Sequence, residues 1–350
     1  MPAHYDDTEV EQHNEGSEQK RLARKCLKYY KESKRYTQNK RKDWNKFYDA
    51  YRSKRPNRGA NRANLFIPYT FSTVEQLLPS LVLPTKTFAC TAVRSDETLE
   101  KSAKKNARLL EYQYKKAQVD LKSIIWLKSA MIYGLGVGKV TWELRFGRDV
   151  EDKSKKRGKK GKKGEKKETK KKRTIVYDDP KFENIDIFDF FPDPNGVELD
   201  MSDAEYAIQR RFMTKKEMKK EGLSVRKIEE GTANAELDIE ARRRLRSQNL
   251  KKDDLKGRYE VIECWIPGKC VITILVGKNE QDPTVLRYLD YPYSHGQLPF
   301  VLCTDYIDMH SLYGIGEPET IYSLQMELNG LRNQRADNVN IILNRMWQAR

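Results

Sequence analysis

Trp126-Leu-Lys-Ser-Ala-Met-Ile-Tyr-Gly-Leu-Gly-Val-Gly-Lys-Val-Thr-Trp142 holds the change of period on which the fold turns. An apolar run through Ile124-Ile-Trp-Leu127 has helical character, and Gly134-Leu-Gly-Val-Gly138 stops it. Lys139-Val-Thr-Trp-Glu-Leu-Arg-Phe146 then alternates as a strand does. The glycines followed by Lys139 invite a phosphate-loop reading, which the spacing refutes. A P-loop needs Gly five residues before the Gly-Lys pair and Ser or Thr after it, where this chain has Tyr133 and Val140. The third Gly of a dinucleotide fingerprint falls on Lys139. Phosphate cradles also run strand–loop–helix, and here the order is helix–turn–strand.

Upstream, a long helical stretch runs from the turn at Arg94-Ser-Asp-Glu97 to about Tyr133, restarting near Asp120, an N-cap type. Before it, Asn64-Leu-Phe-Ile-Pro-Tyr-Thr-Phe71 leads into an apolar helix over Ser72–Leu83, broken by Pro79. Residues 17–51 read as a helix, with Trp44, Phe47, Tyr48 and Tyr51 at i, i+3, i+4, i+7 and Lys and Arg on the remaining faces. Residues 1–16 read as a disordered acidic tail.

Downstream, residues 153–173 form a Lys-rich run punctuated by glycines, the oversized loop of a β-hairpin resumed at Thr174-Ile-Val-Tyr177. Ile185-Asp-Ile-Phe-Asp-Phe-Phe191 is expected as a strand, closed by Pro192-Asp-Pro-Asn-Gly196. Further strands are expected at Glu205–Phe212, Tyr259–Ile266, Lys269–Val276, Val285–Leu289 and Phe300–Tyr306, with Thr214 capping a short helix and residues 224–256 charged and mainly helical. After Leu312-Tyr-Gly-Ile-Gly316, Pro318 opens a polar-rich helix to the last residue. Ile321, Leu324, Leu328 and Leu331 make its apolar stripe, and five asparagines populate the rest. Its unpunctuated end suggests a chain that continues.

The fold class expected is therefore α+β, and charge sharpens its organisation. The net charge is +17 over 350 residues. Residues 20–62 hold 17 basic and 3 acidic side chains, and residues 153–173 hold 14 and 2. Residues 1–19 are acidic, and the remainder carries 37 basic and 40 acidic residues. Two segments thus create the whole basic excess around a near-neutral body. No window holds eighteen uncharged apolar residues, so no membrane span or membrane partner is expected. Five widely spaced cysteines and four histidines form neither a disulfide framework nor a zinc cluster, which suits a reducing compartment.

One constellation could carry chemistry. Asp178, Asp179, Asp186, Asp189 and Asp193 could hold divalent metals for phosphoryl transfer. On a strand, however, Asp186 and Asp189 point to opposite faces, and no Lys or His accompanies them at a fixed spacing. Turn and strand-end carboxylates are the preferred reading. We expect no catalytic, metal or cofactor-binding residues and read the chain as non-enzymatic.

Several segments, in order, resemble the portal (head-to-tail connector) proteins of tailed bacteriophages. They are Asp43-Trp44 with Tyr48, Arg58-Gly-Ala-Asn-Arg62, Leu65-Phe-Ile-Pro-Tyr69 leading to Val74-Glu-Gln-Leu-Leu-Pro79, the 126–142 junction and Phe190-Phe-Pro-Asp-Pro194. Leu298-Pro-Phe-Val301 follows, then Leu312-Tyr-Gly-Ile-Gly-Glu-Pro318, Gln325-x-Glu-Leu-Asn329, Arg332-Asn-Gln-Arg335 and Asp337-Asn338. The resemblance covers about residues 40–350 except the Lys run, which departs from the family's pattern as an insertion. It implies an α/β wing over residues 17–312, with long helices and mixed strands, and the start of a long stem helix over 313–350. A clip, a second stem helix and a crown are then expected beyond residue 350.

It further implies a homo-oligomeric ring, usually of twelve subunits, at one capsid vertex of a virion assembled in the host cytoplasm. Double-stranded DNA would pass through the channel, and a terminase motor, the major capsid or scaffolding protein and a head-tail adaptor would be partners. Gln325, Asn329, Arg332, Arg335 and Asn338 are the candidate channel or subunit-interface residues. Lys159, Lys160, Lys162 and Lys163 are candidates for non-specific contact with DNA or capsid, since each phosphate neutralised adds salt-dependent affinity. The competing readings are a metal-dependent nuclease using the 178–193 acids and a sequence-independent nucleic-acid-binding protein. For the last helix, the competing reading is that its apolar stripe packs into a core.

Overall fold

A computed structural model describes residues 7–55, 57–59, 62–82, 86–94, 96–146, 175–225, 228, 258–276 and 283–343, with side chains from Glu18 onward. The fold is α+β. Helices α1 (Asp7–Tyr51), α2 (Tyr69–Val82), α3 (Glu97–Lys116) and α4 (Val119–Tyr133) come first. Strands β1 (Leu135–Phe146), β2 (Ile175–Ile185), β3 (Phe190–Pro192) and β4 (Ala207–Thr214) follow, then α5 (Lys215–Lys220). Strands β5 (Arg258–Ile266), β6 (Cys270–Leu275), β7 (Thr284–Asp290) and β8 (Phe300–Thr304) lead to the last described helix, α6 (Glu317–Leu343).

Two compact units emerge: Met1–Leu83 with Ile124–Gly138 and Asn184–Arg350, and Pro84–Ser123 with Lys139–Glu183. The larger is built on a five-stranded antiparallel sheet, order β3-β4-β5-β6-β7. Period-2 alternation sends Ile208, Ile262, Cys264, Ile272 and Ile274 to one face, where Leu22, Ala23, Cys26, Leu27 and Tyr30 of α1 cover them. The opposite face is apolar at both ends. Met213, Tyr259, Val261 and Leu275 meet Met218 and Leu223 at one end, and Ala207, Trp265 and Val271 meet Leu135, Val137 and Phe300 at the other. Between them the register lines up Gln209, Glu263, Thr273 and Arg287 in one polar row. In the smaller unit the buried hydrophobic side chains are Ala103, Ala117 and Phe182. Its ties are polar and aromatic: Lys116 pairs with Asp179, Trp142 Nε1 donates to Asp178 at 2.7 Å, and Lys116 lies over the Tyr177 ring.

Several local expectations change. Helix α1 begins at Asp7, inside the stretch expected to be a disordered tail. Pro79 lies within α2 rather than breaking it, and the helix continues three residues past it, to Val82, despite the bond that its missing N–H denies the Glu75 carbonyl. The break between α3 and α4 is at Gln118, with φ of 53°, and Asp120 lies inside α4 accepting from Tyr114 Oη. Residues 186–189 are not strand: Asp186 caps a single 3-10 turn, Ile187–Asp189, by accepting from the Phe188 amide. Thr214 caps α5 in a reciprocal box with Glu217, as its position predicts. The 153–173 run and most of 224–256 lie outside the described residues.

Candidate functional site

The α6 helix buries the wrong face by ordinary rules. Its buried residues past the first turn are Gln325, Asn329 and Asn333, while Leu324, Leu328 and Leu331 are 66%, 43% and 58% exposed. The cause is the segment 63–67. The Ala63 amide donates to Asp337, the Leu65 amide to Asn333 Oδ1 at 2.7 Å, and the Ile67 amide to Asn329 Oδ1 at 2.9 Å. In return Asn333 Nδ2 donates to the Leu65 carbonyl at 2.9 Å and Gln325 Nε2 to the Ile67 carbonyl at 3.0 Å. Thr70 Oγ1, buried in α2, donates to Gln325 Oε1.

Simple geometry makes the match. Four helical residues rise about 6.0 Å and two extended residues advance about 6.6 Å, so an i, i+4, i+8, i+12 row keeps step with alternate residues of a strand. The helix thus acts as the neighbouring strand that 63–67 lacks. Asn333 serves Leu65 twice, accepting its N–H and donating to its C=O, while Ile67 is served by two side chains, Asn329 accepting its N–H and Gln325 donating to its C=O. Asp337 can only accept, and Arg58 supplies the missing donor, bonding the Ala63 carbonyl at 2.9 Å while pairing with Asp337 at 3.7 Å.

Two glycine turns root α6. Gly134 has φ of +85°, and a Cβ there would sit 2.0 Å from the Gly314 carbonyl oxygen. A Cβ on Gly314 would meet the Tyr306 oxygen at 2.4 Å, and one on Gly316 would meet the Met131 oxygen at 2.8 Å. Tyr133-Gly-Leu-Gly136 and Tyr313-Gly-Ile-Gly316 are near-copies in sequence, and their backbones interlock. Gly134, together with Gly136, where a Cβ would meet the Trp126 oxygen at 2.3 Å, is thus consumed by backbone contact rather than by a phosphate.

The acidic cluster is structural. Asp178 accepts from Trp142 and Asp179 pairs with Lys116. Asp186 caps the 3-10 turn, and Asp193 accepts from the amides of Asn195 and Glu205, both at 3.0 Å. Asp189 holds Arg210 at 3.0 Å. No group of three or more His, Cys, Asp or Glu able to hold a metal occurs among the described residues.

Arg210 is the centre of a buried polar knot. Its guanidinium bonds Asp189 and the Phe188 carbonyl, approaches Glu260 at 3.8 Å, and lies between the Phe191 and Phe212 rings. Burial pulls its basicity down, but Tyr30, Asp189 and Glu260 outweigh that and hold it charged. From α1, Tyr30 Oη donates to Glu260 at 2.6 Å and Arg41 donates to the same Phe188 carbonyl at 2.8 Å. The knot ties α1 to the sheet.

Among the sequence candidates, Gln325 and Asn329 prove to be rungs of the internal ladder. Both are buried within the folded chain, Gln325 accepting from Thr70 and donating to the Ile67 carbonyl and Asn329 accepting from the Ile67 amide. The core-packing reading of the α6 stripe is also overturned, since its leucines are exposed. Arg332, Arg335 and Asn338 are exposed on the same helix. Lys159, Lys160, Lys162 and Lys163 lie outside the described residues. Sequence reading missed Asn333, Asp337 and Arg58. Their signal is the unbroken four-residue spacing Gln325, Asn329, Asn333, Asp337, which a search for apolar stripes passes over. No helix among the described residues is long and apolar enough to cross a membrane. No protein-family model matches the sequence, and no curated protein matches it.

Proposed function

We propose that this chain is the wing and first stem helix of a portal subunit, a structural component of a ring-shaped channel at a capsid vertex through which double-stranded DNA is packaged and ejected. The observation that carries the reading is the inverted α6: a helix whose amides are buried and whose leucines face solvent is complete only against another apolar surface. A second copy of the chain supplies that surface in a ring. Burying a leucine contributes about 1.5–3 kcal/mol, so Leu324, Leu328 and Leu331 repeated at every interface would contribute substantially to assembly. A near-neutral body also suits a conduit, because phosphate contacts along its wall would retard the DNA. The ring's further partners on this reading are a terminase motor, capsid or scaffolding protein and a head-tail adaptor. The nuclease reading loses its candidate carboxylates to capping and ion pairing.

Electron microscopy of the full-length protein tests the proposal: rings with a central hole are expected, and a protein that stays monomeric in every buffer overturns it. Replacing Leu324, Leu328 and Leu331 together by Glu should abolish the rings. Subunit stability should stay within about 0.5 kcal/mol per substitution, because the changes are at exposed positions.

A further inference from the structure

We propose that Asp305, which caps α6 beside the buried Glu317, is a carboxyl whose protonation makes the seating of α6 on the β8 loop dependent on pH. Asp305 follows β8 directly and Glu317 is the first residue of α6. The Tyr306–Ile315 bridge, closed by amide–carbonyl bonds of 3.1 and 2.9 Å, folds the loop so that the two meet. Asp305 accepts from the Glu317 amide, so it caps the exposed N–H groups at the start of α6. Its other oxygen, Oδ2, is buried with no hydrogen-bond partner. The Glu317 side chain is buried as well and accepts from Tyr306 Oη at 3.1 Å.

A buried carboxylate oxygen without a donor, beside a second buried carboxylate, is costly when both are ionised. One proton on Asp305 Oδ2 removes the repulsion and takes the charge off the orphan acceptor. Burial, then the Glu317 carboxylate, pushes the Asp305 carboxyl up to about 6, against the downward pull of the Glu317 amide. The surrounding elements do not neutralise the pair. From the β8 side, burial and then Asp305 push Cys303 up, and the hydrogen bond to Glu317 and that carboxylate's charge, then burial and Asp305, push Tyr306 up. The loop adds Asp308 and His310, bonded to each other through the His310 amide. On α6, burial pushes Glu319 up, Lys40 of α1 pulls it down, and Asp43 and Asp308 push it up again. Lys40 itself is bonded to Ser311 at 3.1 Å and lies over the Tyr313 ring. The α4–β1 turn contributes backbone, through Met131, Ile132 and Gly134.

The direction follows from the raised carboxyl. The folded chain holds the Asp305 proton more tightly than the unfolded chain, so the added stability is complete below the ordinary aspartate range and is lost as pH rises through about 6. The first turn of α6 should therefore be seated tightly in acid and loosened at neutral pH. Asp305 is partly open to solvent, so the effect on the folding equilibrium lies below the roughly hundredfold ceiling set by two pH units.

Carboxyl NMR and hydrogen exchange test this on the whole chain. Asp305 should titrate near pH 6 in the wild type and fall toward the ordinary range in Glu317→Gln. Exchange protection of the Glu317, Glu319, Thr320 and Ile321 amides, referred to β5 amides in the same sample, should drop severalfold from pH 5 to 7. Asp305→Asn should remove that drop, since the amide caps α6 at every pH. Titration of Asp305 in the ordinary range, or an unchanged protection profile in Asp305→Asn, overturns the proposal. If Asp305→Asn does not fold, the Glu317→Gln titration alone decides: an unmoved Asp305 midpoint refutes the coupling.

Discussion

Helices α1 and α6 are both long, both polar overall, and both marked in the sequence by apolar residues at helical spacing, yet they bury opposite faces. Along α1 the stripe Leu22, Ala23, Cys26, Leu27, Tyr30 and Trp44 goes inward, and the Lys and Arg residues that give residues 20–62 their charge lie mostly outside. Along α6 the amide row goes inward and the leucines stay out. The difference lies in what each helix meets. The α1 helix lies on a sheet whose backbone groups are already paired, so only side-chain surface is on offer and apolar contacts decide. The α6 helix lies against a strand-like segment whose amides at 63, 65 and 67 have no neighbouring strand, so unmet hydrogen bonds decide. An unpaired buried polar group costs about 1–3 kcal/mol, comparable to the gain from burying a leucine, and several such groups in register outweigh the stripe.

The comparison breaks first at Arg210. The α1 contact is not purely apolar, because Tyr30 and Arg41 reach the Arg210 knot. Arg210→Met leaves Asp189 and Glu260 without their cation and should cost about 3–5 kcal/mol in denaturant unfolding. A loss below about 1 kcal/mol would mean that packing alone holds α1, which would make the two helices differ more sharply.

Next comes the ladder. Asn333→Leu removes a two-way rung and strands the Leu65 N–H and C=O, at an expected cost of about 2–4 kcal/mol. Asn333→Asp should keep the accepting half and lose the donating half, falling between Leu and wild type. If Leu proved neutral, α6 would be held by its glycine root, and the inverted face would be a consequence rather than a cause.

Much of this was legible in the sequence, and what was not shares one physical character. The α+β class, the helix–glycine–strand junction, the end of α1 at Tyr51, the cap at Thr214 and every strand from β4 to β8 followed from local periodicity and turn chemistry. The ladder did not, because it joins residues more than 250 positions apart and neither partner looks unusual alone. Asp186 and Asp189 were misplaced because Ile185-Asp-Ile-Phe-Asp-Phe-Phe191 alternates well enough to read as strand, while capping by Asp186 turns the backbone instead. The resemblance makes Gln325 and Asn329 channel or interface candidates on a stem helix, whereas the usual solvent preference of asparagine and glutamine reverses where backbone groups need partners.

The smallest expected effect concerns the solvent face of α1. Lys28 and Glu32 are an i, i+4 pair at 3.7 Å with side chains 76% and 47% exposed. Coulomb attraction at such a site is screened by water and salt and opposed by side-chain entropy, so Lys28→Ala should change stability by no more than about 0.5 kcal/mol. Raising the salt should shrink even that difference. The +17 charge of the chain would then be absent from the energetics of α1, whose attachment rests on its apolar stripe and the Arg210 knot. A cost above about 1 kcal/mol would instead show the basic face of α1 to be paired with a surface, and α1, like α6, would be a helix with a second face to cover.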